Sequence, residues 1–519
     1  MLGELARLCR DRPPGQIAVS RHFASPPKES IAVTRSSSHR GFSPWVAHLH
    51  VGLLLTLLWA VAASASPNAP RASAVELKRQ IAAILDGNAT PGAQQGVYIK
   101  VLGSGRVLYS RQGTTPMVPA SNLKVLTTAV ALDRLGPDFR FQTSLVGPRP
   151  DARGVIHGDL YLQGSGDPTM TPPYCQPATE PFAFFARQLK EQGVRQVLGD
   201  IVADDSAFDR EFLARGWLER YRLDSYAAPV AALSLNGNVV EVIVSAEGIR
   251  TQPPTSGLTF SNQMGSGGPV YLDRPQGSDT IVVRGNPGPG EVVRRSLTVG
   301  NPPRFAAGAF QQVLKEAGIS QKGGVRLIHP VGEPALLTSM HTYARYQSIP
   351  LPKILWQINR ESDNLFAQHL FKALGEKRSG RGTAANGEAA VKEFMTHHGI
   401  SVAGLKMFDG CGLSTLNRVT PAQLVGVLEA MHTHPRSDLF RESLPTGGQG
   451  TLSYRLTGLQ VRAKTGTLAE DSSLSGYLVT ANGQTLAFAM LFNKLEGIGS
   501  AVDAQDRIVN LLAAWPEKL

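Results

Sequence analysis

Three short strings fix where distant parts of this 519-residue chain have to meet: Ser121-Asn122-Leu123-Lys124, Ser362-Asp363-Asn364 and Lys464-Thr465-Gly466. Each sets a hydroxyl beside an amine or an amide at short spacing, and residues 125–361 lie between the first and the second. Each alone has an ordinary structural explanation: an N-cap serine with a solvated lysine, a Ser/Asp/Asn helix cap, or a strand end. Their order, and the local context of each, argue instead for one site to which the fold returns twice.

Pro119-Ala120 precede Ser121, and apolar Leu123, Val125, Leu126, Ala129 and Leu132 with few breakers predict a helix over residues 121–135. Ser121 then stands at the helix start. Positions i and i+3 share a helix face, so the Lys124 amine can reach the Ser121 hydroxyl, which is a weak nucleophile without a base. A lysine acts as base only when unprotonated. Partial desolvation and a neighbouring cation lower its pKa toward that state, and Lys464 is the candidate cation. The Ser121 N–H at the helix start is also placed to hold an oxyanion.

Ser362-Asp363-Asn364 falls between two runs with helical patterning, residues 351–359 and 365–374. A junction between buried helices presents its side chains to a cleft. There Ser362 could pass a proton between Lys124 and a leaving amine, and Asn364, donor and acceptor at once, could grip a substrate amide. Asp363 is assigned a structural part. The third string ends a strand over 459–467, followed by strands over 474–480 and 485–492 around an Asn482-Gly483 turn, which places Lys464 in an antiparallel sheet. Lys464 and Thr465 suit a substrate carboxylate, Gly466 lets a ligand approach the backbone, and the Thr467 N–H could complete an oxyanion hole.

In this order the strings resemble the S-x-x-K, S-D-N and K-T-G set of penicillin-binding proteins and class A β-lactamases. Over nearly all of residues 73–515 the chain resembles the class C low-molecular-mass penicillin-binding proteins, the D-alanyl-D-alanine carboxypeptidase/endopeptidases of bacterial cell-wall metabolism. The likeness extends to Gly164-Ser165-Gly166-Asp167-Pro168, residues 199–204, residues 232–238, and Asp409-Gly410-Cys411-Gly412-Leu413-Ser414 running into residues 417–421. Cys411 departs from it, since the family usually looks like Asp-Gly-Ser-Gly-Leu-Ser. The stretch reads as a loop that either lines the cleft or only shapes the fold, and a thiol there hydrogen-bonds more weakly than a hydroxyl.

The resemblance implies an α/β (α+β) fold: a penicillin-binding, serine β-lactamase-like transpeptidase domain, an antiparallel sheet flanked by helices, with a mostly β inserted domain. Residues 66–145 and 300–519 would form the discontinuous peptidase domain and residues 146–299 the insert. It implies peptidoglycan stem peptides as substrates, cleaved at D-Ala-D-Ala or at D-Ala–diaminopimelate crosslinks, and β-lactams as covalent inhibitors. Catalysis would fall to Ser121, Lys124 and Ser362, and substrate or oxyanion binding to Asn364, Lys464, Thr465, Gly466 and Thr467. A serine β-lactamase or a transpeptidase of the same superfamily remains the alternative, although the class A E-x-x-L-N pattern is absent and the insertion is large for that compact architecture. A non-enzymatic wall-binding protein would not need all three strings intact.

Residues 1–65 are Arg/Ser/Pro-rich and end in an apolar run, 51–63, and Ala63-Ser64-Ala65. This predicts a signal peptide cleaved near Ala65 and an exported, periplasmic protein; the run is short for a membrane anchor, the competing reading. The stretch before it is long for a leader, which raises a mis-called start codon. Of the net charge of +11, +4 lies in these residues. The remaining +7 is compatible with peripheral attachment to an anionic membrane or wall, or with an arginine-rich background alone. No basic run carries interleaved aromatics, so nucleic acid is not expected. With no H-E-x-x-H or paired C-x-x-C, no metal and no cofactor are expected. Cys175 and Cys411 are expected as free thiols.

Composition, 42% hydrophobic and 18% charged, is that of a globular protein of two or three domains. Further expectations are a helix over 73–85 capped by Ser73 and Glu76, a hairpin of 96–102 with 106–111, short strands from 141 to 303, and a helix over 306–317. An exposed linker is expected over 376–387, then a helix ending at His397-His398-Gly399, and another opened by Pro421 after Thr420.

Overall fold

In the computed structural model, which describes residues 74–87, 92–265, 267–329, 333, 337–516 and 519, the strand Gln94–Val101 alternates strictly between two cores. Val97, Ile99 and Val101 point to one side, where they are buried with Leu77, Ile81, Ile508 and Leu512 of the helices Ala74–Gly87 and Gly499–Ala513. Tyr98 points to the other side, toward the larger helical core. A period of two is what lets one strand serve both.

This strand joins the two ends of the chain. It pairs antiparallel with Thr485–Asn493 from Gln94↔Asn493 to Val101↔Leu486 and with Val107–Arg111 on its other edge. The sheet runs Val461–Thr467, Ser472–Val479, Thr485–Asn493, Gln94–Val101, Val107–Arg111, so the strand carrying Lys464 lies at its edge. Behind the sheet the helix Leu123–Leu135 is enclosed on every side, with Leu123, Val125, Leu126, Ala129, Val130 and Leu132 all fully buried. It packs among Leu351–Arg360, Asn364–Ser379, Ala384–His397 and Pro421–His432.

A second apolar core lies in the intervening chain. Its five-stranded sheet runs Val325–Leu327, Ile201–Asp204, Leu160–Gly164, Gln142–Gly147, His341–Gln347, with parallel and antiparallel pairings mixed. The helices Glu180–Glu191 and Pro302–Glu316 pack through Phe182, Phe185 and Phe310, whose rings lie 5.6 and 6.3 Å apart in the two pairs that include Phe310. Three three-stranded sheets complete this region, two built from residues 239–298 and one from Val155–Ile156, Gln196–Val197 and Ser320–Gln321.

Mixed helices and sheets of this kind match the expected fold class, and the local differences have physical causes. The helix Glu180–Glu191 interrupts a stretch read as short strands only, and Pro302 starts a helix earlier than expected because proline is well placed in a first turn. The helix Pro302–Glu316 and the strand His341–Gln347 pack with the second core. The linker expected over 376–387 is mostly helical: Asn364–Ser379 runs on to a left-handed Gly380, and Thr383 caps Ala384–His397. Polar composition there marks exposed helix faces rather than loop. The leader, its cleavage site and Ser73 lie outside the described residues.

The second region is tied to the first by a buried ion pair. Lys372, 2% exposed, donates to Asp209 Oδ1 at 2.7 Å and to the Glu211 carbonyl at 2.9 Å. Removing one partner strands a buried charge, which costs far more than the pair itself contributes. Asp209→Ala should lower unfolding stability by about 3 kcal/mol in urea denaturation, and adding Lys372→Met should recover most of that loss; equal stability of Asp209→Ala and wild type would refute the assignment.

Candidate active site

Ser121 sits in a single 3-10 turn, Ala120–Asn122, that feeds directly into the helix Leu123–Leu135. Ala120 there takes φ +47°, an uncommon conformation for a residue with a Cβ. One turn on, Lys124 is completely buried. Its Nζ lies 2.9 Å from Ser121 Oγ, 2.6 Å from Asn364 Oδ1 and 2.7 Å from the Cys411 carbonyl. Two of these partners can only accept at those atoms. An ammonium would donate to all three, whereas a neutral amine has two N–H groups for the two carbonyl oxygens and a lone pair for the Ser121 hydroxyl, so the contacts accommodate both forms and burial decides between them.

Burial pushes the Lys124 pKa down, against the charges of the Cys411, Asp409 and Asp363 groups, which push it up. Lys464 is equally buried and lies well below its ordinary value, through burial first and then through the positive charge of Lys124. Desolvation is therefore the main cause at both amines. The expected lowering of Lys124 by Lys464 is not found: burial alone lowers Lys124, and the repulsion between the two amines acts on Lys464.

Lys464 Nζ donates to Ser362 Oγ and to the Thr465 carbonyl, both at 2.9 Å. Ser362, at φ +59°, is thus bonded to Lys464 and not to Lys124. Asn364 is more heavily engaged than the sequence suggests, since its Nδ2 also donates to the Tyr226 carbonyl at 2.9 Å. Asp363 is structural: it caps the helix Asn364–Ser379 by accepting from the Phe366 N–H at 3.0 Å. Thr465 Oγ1 donates to Thr451 Oγ1 at 2.7 Å.

Gly466 is required by packing. A Cβ there would lie 2.2 Å from Ser473 Oγ and 2.8 Å from the Ser121 nitrogen, so the strand passes directly against the nucleophile turn. Asn122, fully buried, holds the two together, with Nδ2 donating to the Lys464 carbonyl at 3.1 Å and to Ser473 Oγ at 2.8 Å, and Oδ1 accepting from Ser475. On the other side the 409–414 loop presses on the same turn; a Cβ on Gly412 would meet the Ala120 carbonyl at 1.8 Å. Buried Asp409 shapes this loop by accepting from the N–H groups of Gly412 and Ser414 at 2.7 Å and from Asn417 Nδ2 and Trp217 Nε1 at 2.8 Å. The buried Cys411 thiol is pushed well above its ordinary pKa by desolvation and then by Asp409, with which it also hydrogen-bonds, while its carbonyl accepts from Lys124. Cys175 is likewise a buried free thiol.

Ser121, Asn364 and Thr467 open into one cavity of about 250 Å³, walled by Tyr221, Tyr226, Leu413 and Leu468. A second, of about 520 Å³, shares Tyr226 and Asn364 with it and continues past Ser362 and Glu361. Of the eight residues singled out from the sequence, Ser121, Ser362, Asn364 and Thr467 line these cavities, buried Lys124 and Lys464 hydrogen-bond to Ser121, Asn364 and Ser362, and Thr465 and Gly466 lie between Lys464 and Thr467 on the same strand. Asn122, Tyr226, Thr451 and the Cys411 carbonyl were not foreseen, because main-chain acceptors and residues inside or far from a motif leave no pattern of their own.

Fold and site define a serine acyl-transfer enzyme of the penicillin-binding class. Residues 77–515 match the D-Ala-D-Ala carboxypeptidase 3 (S13) family. A D-alanyl-D-alanine carboxypeptidase of Actinomadura sp. (strain R39) is 34% identical over 520 aligned positions, covering 94% of this chain and 93% of that one. The D-alanyl-D-alanine carboxypeptidase DacB of Haemophilus influenzae is 28% identical over 78% of this chain and 86% of its own. A crystal structure of penicillin binding protein 4 (dacB) from the same organism superposes with a TM-score of 0.70 at 25% identity, covering 83% of this chain and 99% of that one. The chain belongs to the D-Ala-D-Ala carboxypeptidase 3 (S13) family, and it is a penicillin-sensitive serine-type carboxypeptidase.

Gly466→Ala tests the packing of strand against turn. Displacing the nucleophile by about 1 Å costs on the order of 100-fold in rate, so labelling by a fluorescent penicillin should slow by at least that factor; wild-type labelling would mean that the strand does not position Ser121.

Proposed function

We propose that this protein trims and opens peptidoglycan stem peptides through an acyl-enzyme on Ser121. The observation that carries the reading is the buried Lys124 amine, held 2.9 Å from the Ser121 hydroxyl with its other two contacts occupied by carbonyl oxygens. Lys124 takes the Ser121 proton as Oγ attacks the carbonyl of the penultimate D-alanine, and the Ser121 and Thr467 N–H groups receive the oxyanion. Ser362 gives its proton to the departing amine and regains one from Lys464, its hydrogen-bond partner. Lys464 and Thr465 hold the terminal carboxylate, and Asn364 orients the substrate amide. Water then attacks the ester, its proton passing through Ser362 to restore Lys464, while the proton held by Lys124 returns to Ser121 Oγ and the acyl peptide leaves as the acid.

Two products follow from one mechanism. With D-alanine as leaving group the enzyme is a carboxypeptidase; with the side-chain amine of a second stem peptide it is an endopeptidase. The cavity of about 520 Å³ beyond Ser362 supports the second, because it gives a leaving group larger than one amino acid somewhere to lie. Such a substrate places the protein outside the cytoplasm, in keeping with the leader read from the sequence. Among the described residues no helix is long and apolar enough to cross a membrane, and attachment to the membrane or wall would be peripheral. In this reading the two ends of the chain build a discontinuous peptidase domain and the middle builds an inserted one that backs the cleft.

Fluorescent penicillin should label the wild type covalently and Ser121→Ala not at all, and bound label should decay over many minutes; rapid turnover would favour a β-lactamase. A pentapeptide muropeptide should release free D-alanine, and a crosslinked muropeptide dimer should be split into monomers. Release from the first without cleavage of the second would limit the activity to carboxypeptidase, and labelling without either product would refute the proposed substrate.

A further inference from the structure

At the end of the strand Val461–Thr467 away from Ser121, a cavity of about 320 Å³ is lined by Arg441, Thr446, Gln460, Arg462 and Tyr477 with neighbouring apolar side chains. None of these residues takes part in the chemistry above. Two arginines, Arg441 and Arg462, line the cavity. A third, Arg360 at the end of Leu351–Arg360, lies close enough to act on Arg462 electrostatically.

Among the described residues none of the three is ion-paired with a carboxylate. The Arg441 guanidinium lies 5.3 Å above the Tyr477 ring and that of Arg360 lies 5.4 Å above Trp356. Arg360 Nε is buried with no hydrogen-bond partner. Arg462 Nη1 reaches only the carbonyls of Arg441 and Leu444, at 3.4 and 3.5 Å, distances at which little hydrogen-bond energy remains. Glu442, exposed on the same helix as Arg441, is the acidic group that acts on Arg462. Burial and the two flanking guanidiniums press Arg462 below its ordinary value. His432, next to Tyr477, is also lowered by burial and by Arg441, so it adds no opposing charge.

Like charges gathered in a partly buried pocket repel one another, and the cost falls when an anion enters. Guanidinium forks match the oxygens of phosphate and carboxylate groups. With Glu442 set against three arginines, two positive charges stay uncompensated, which a dianion offsets better than a single carboxylate. We propose that this pocket is an oxyanion site, separate from the catalytic cleft, that takes a phosphate group. The phosphate could be free or carried on a glycerol headgroup, and the two sources differ in what else the pocket must hold.

Isothermal titration of the full chain with inorganic phosphate and with glycerol 3-phosphate, against chloride of equal ionic strength, tests this. Saturable one-site binding is expected for at least one of them, weakened about tenfold or more in Arg441→Gln. Tighter binding of glycerol 3-phosphate would assign a headgroup, and tighter or equal binding of phosphate a free anion. Acylating the wild type with penicillin beforehand should leave the affinity unchanged, a readout that holds even if the variant fails to fold. Absence of saturable binding, unchanged affinity in a folded Arg441→Gln, or loss of binding on acylation would overturn the proposal, the last by placing the anion at Lys464 instead.

Discussion

A lysine amine kept out of water is the constraint from which the rest of the cleft follows. Lys124 is completely buried, and its three contacts come from the nucleophile turn, the start of the helix Asn364–Ser379 and the 409–414 loop. Taking an ammonium out of water is expensive, so burial favours the neutral base that serine activation needs. The same burial needs a dry wall on all sides. The helix Leu123–Leu135 supplies one by being buried around nearly its whole circumference, and the sheet that joins both chain ends supplies another.

The surrounding residues act mainly by holding three segments in register. Asn122 ties the nucleophile turn to the Lys464 strand, and Gly466 removes the side chain that would push them apart. Asp409 does the corresponding work for the loop that offers the Cys411 carbonyl. The intervening part of the chain reaches the cleft as well. The Tyr226 carbonyl holds Asn364, Trp217 bonds Asp409, and Ser414 donates to the Arg215 carbonyl at 2.7 Å. A buried polar network of this kind is costly when any member is missing, which makes the cleft depend on segments far from it in sequence.

Much of this was legible before any coordinates. The i, i+3 spacing of Ser121 and Lys124 predicted their contact, and the Asn482-Gly483 turn predicted the antiparallel neighbours of the Lys464 strand, because both depend on local geometry. Asp363, expected to be structural, caps the helix Asn364–Ser379, again a local interaction. What escaped was tertiary. The partner of Ser362 is Lys464 rather than Lys124, a choice made by strand and helix placement that no spacing encodes. At Cys411 the contact to Lys124 is made by the carbonyl, which every residue has, while the thiol bonds Asp409 within the loop. Polar residues 376–387 resembled a linker because an exposed helix face and a loop have similar composition.

The protonation of Lys124 can be followed through the rate of acylation by benzylpenicillin as a function of pH. If burial holds this amine neutral, the rate should rise with pH along one ionisation centred below 10.5, the ordinary lysine value, and then level off, because the reactive fraction grows as the proton leaves. Lys124→Arg, which keeps its charge throughout, should acylate slower by about a thousandfold and show no such limb. A wild-type rate that climbs only through an ordinary lysine ionisation, or a Lys124→Arg enzyme acylated at wild-type speed, would contradict a neutral Lys124 as the base.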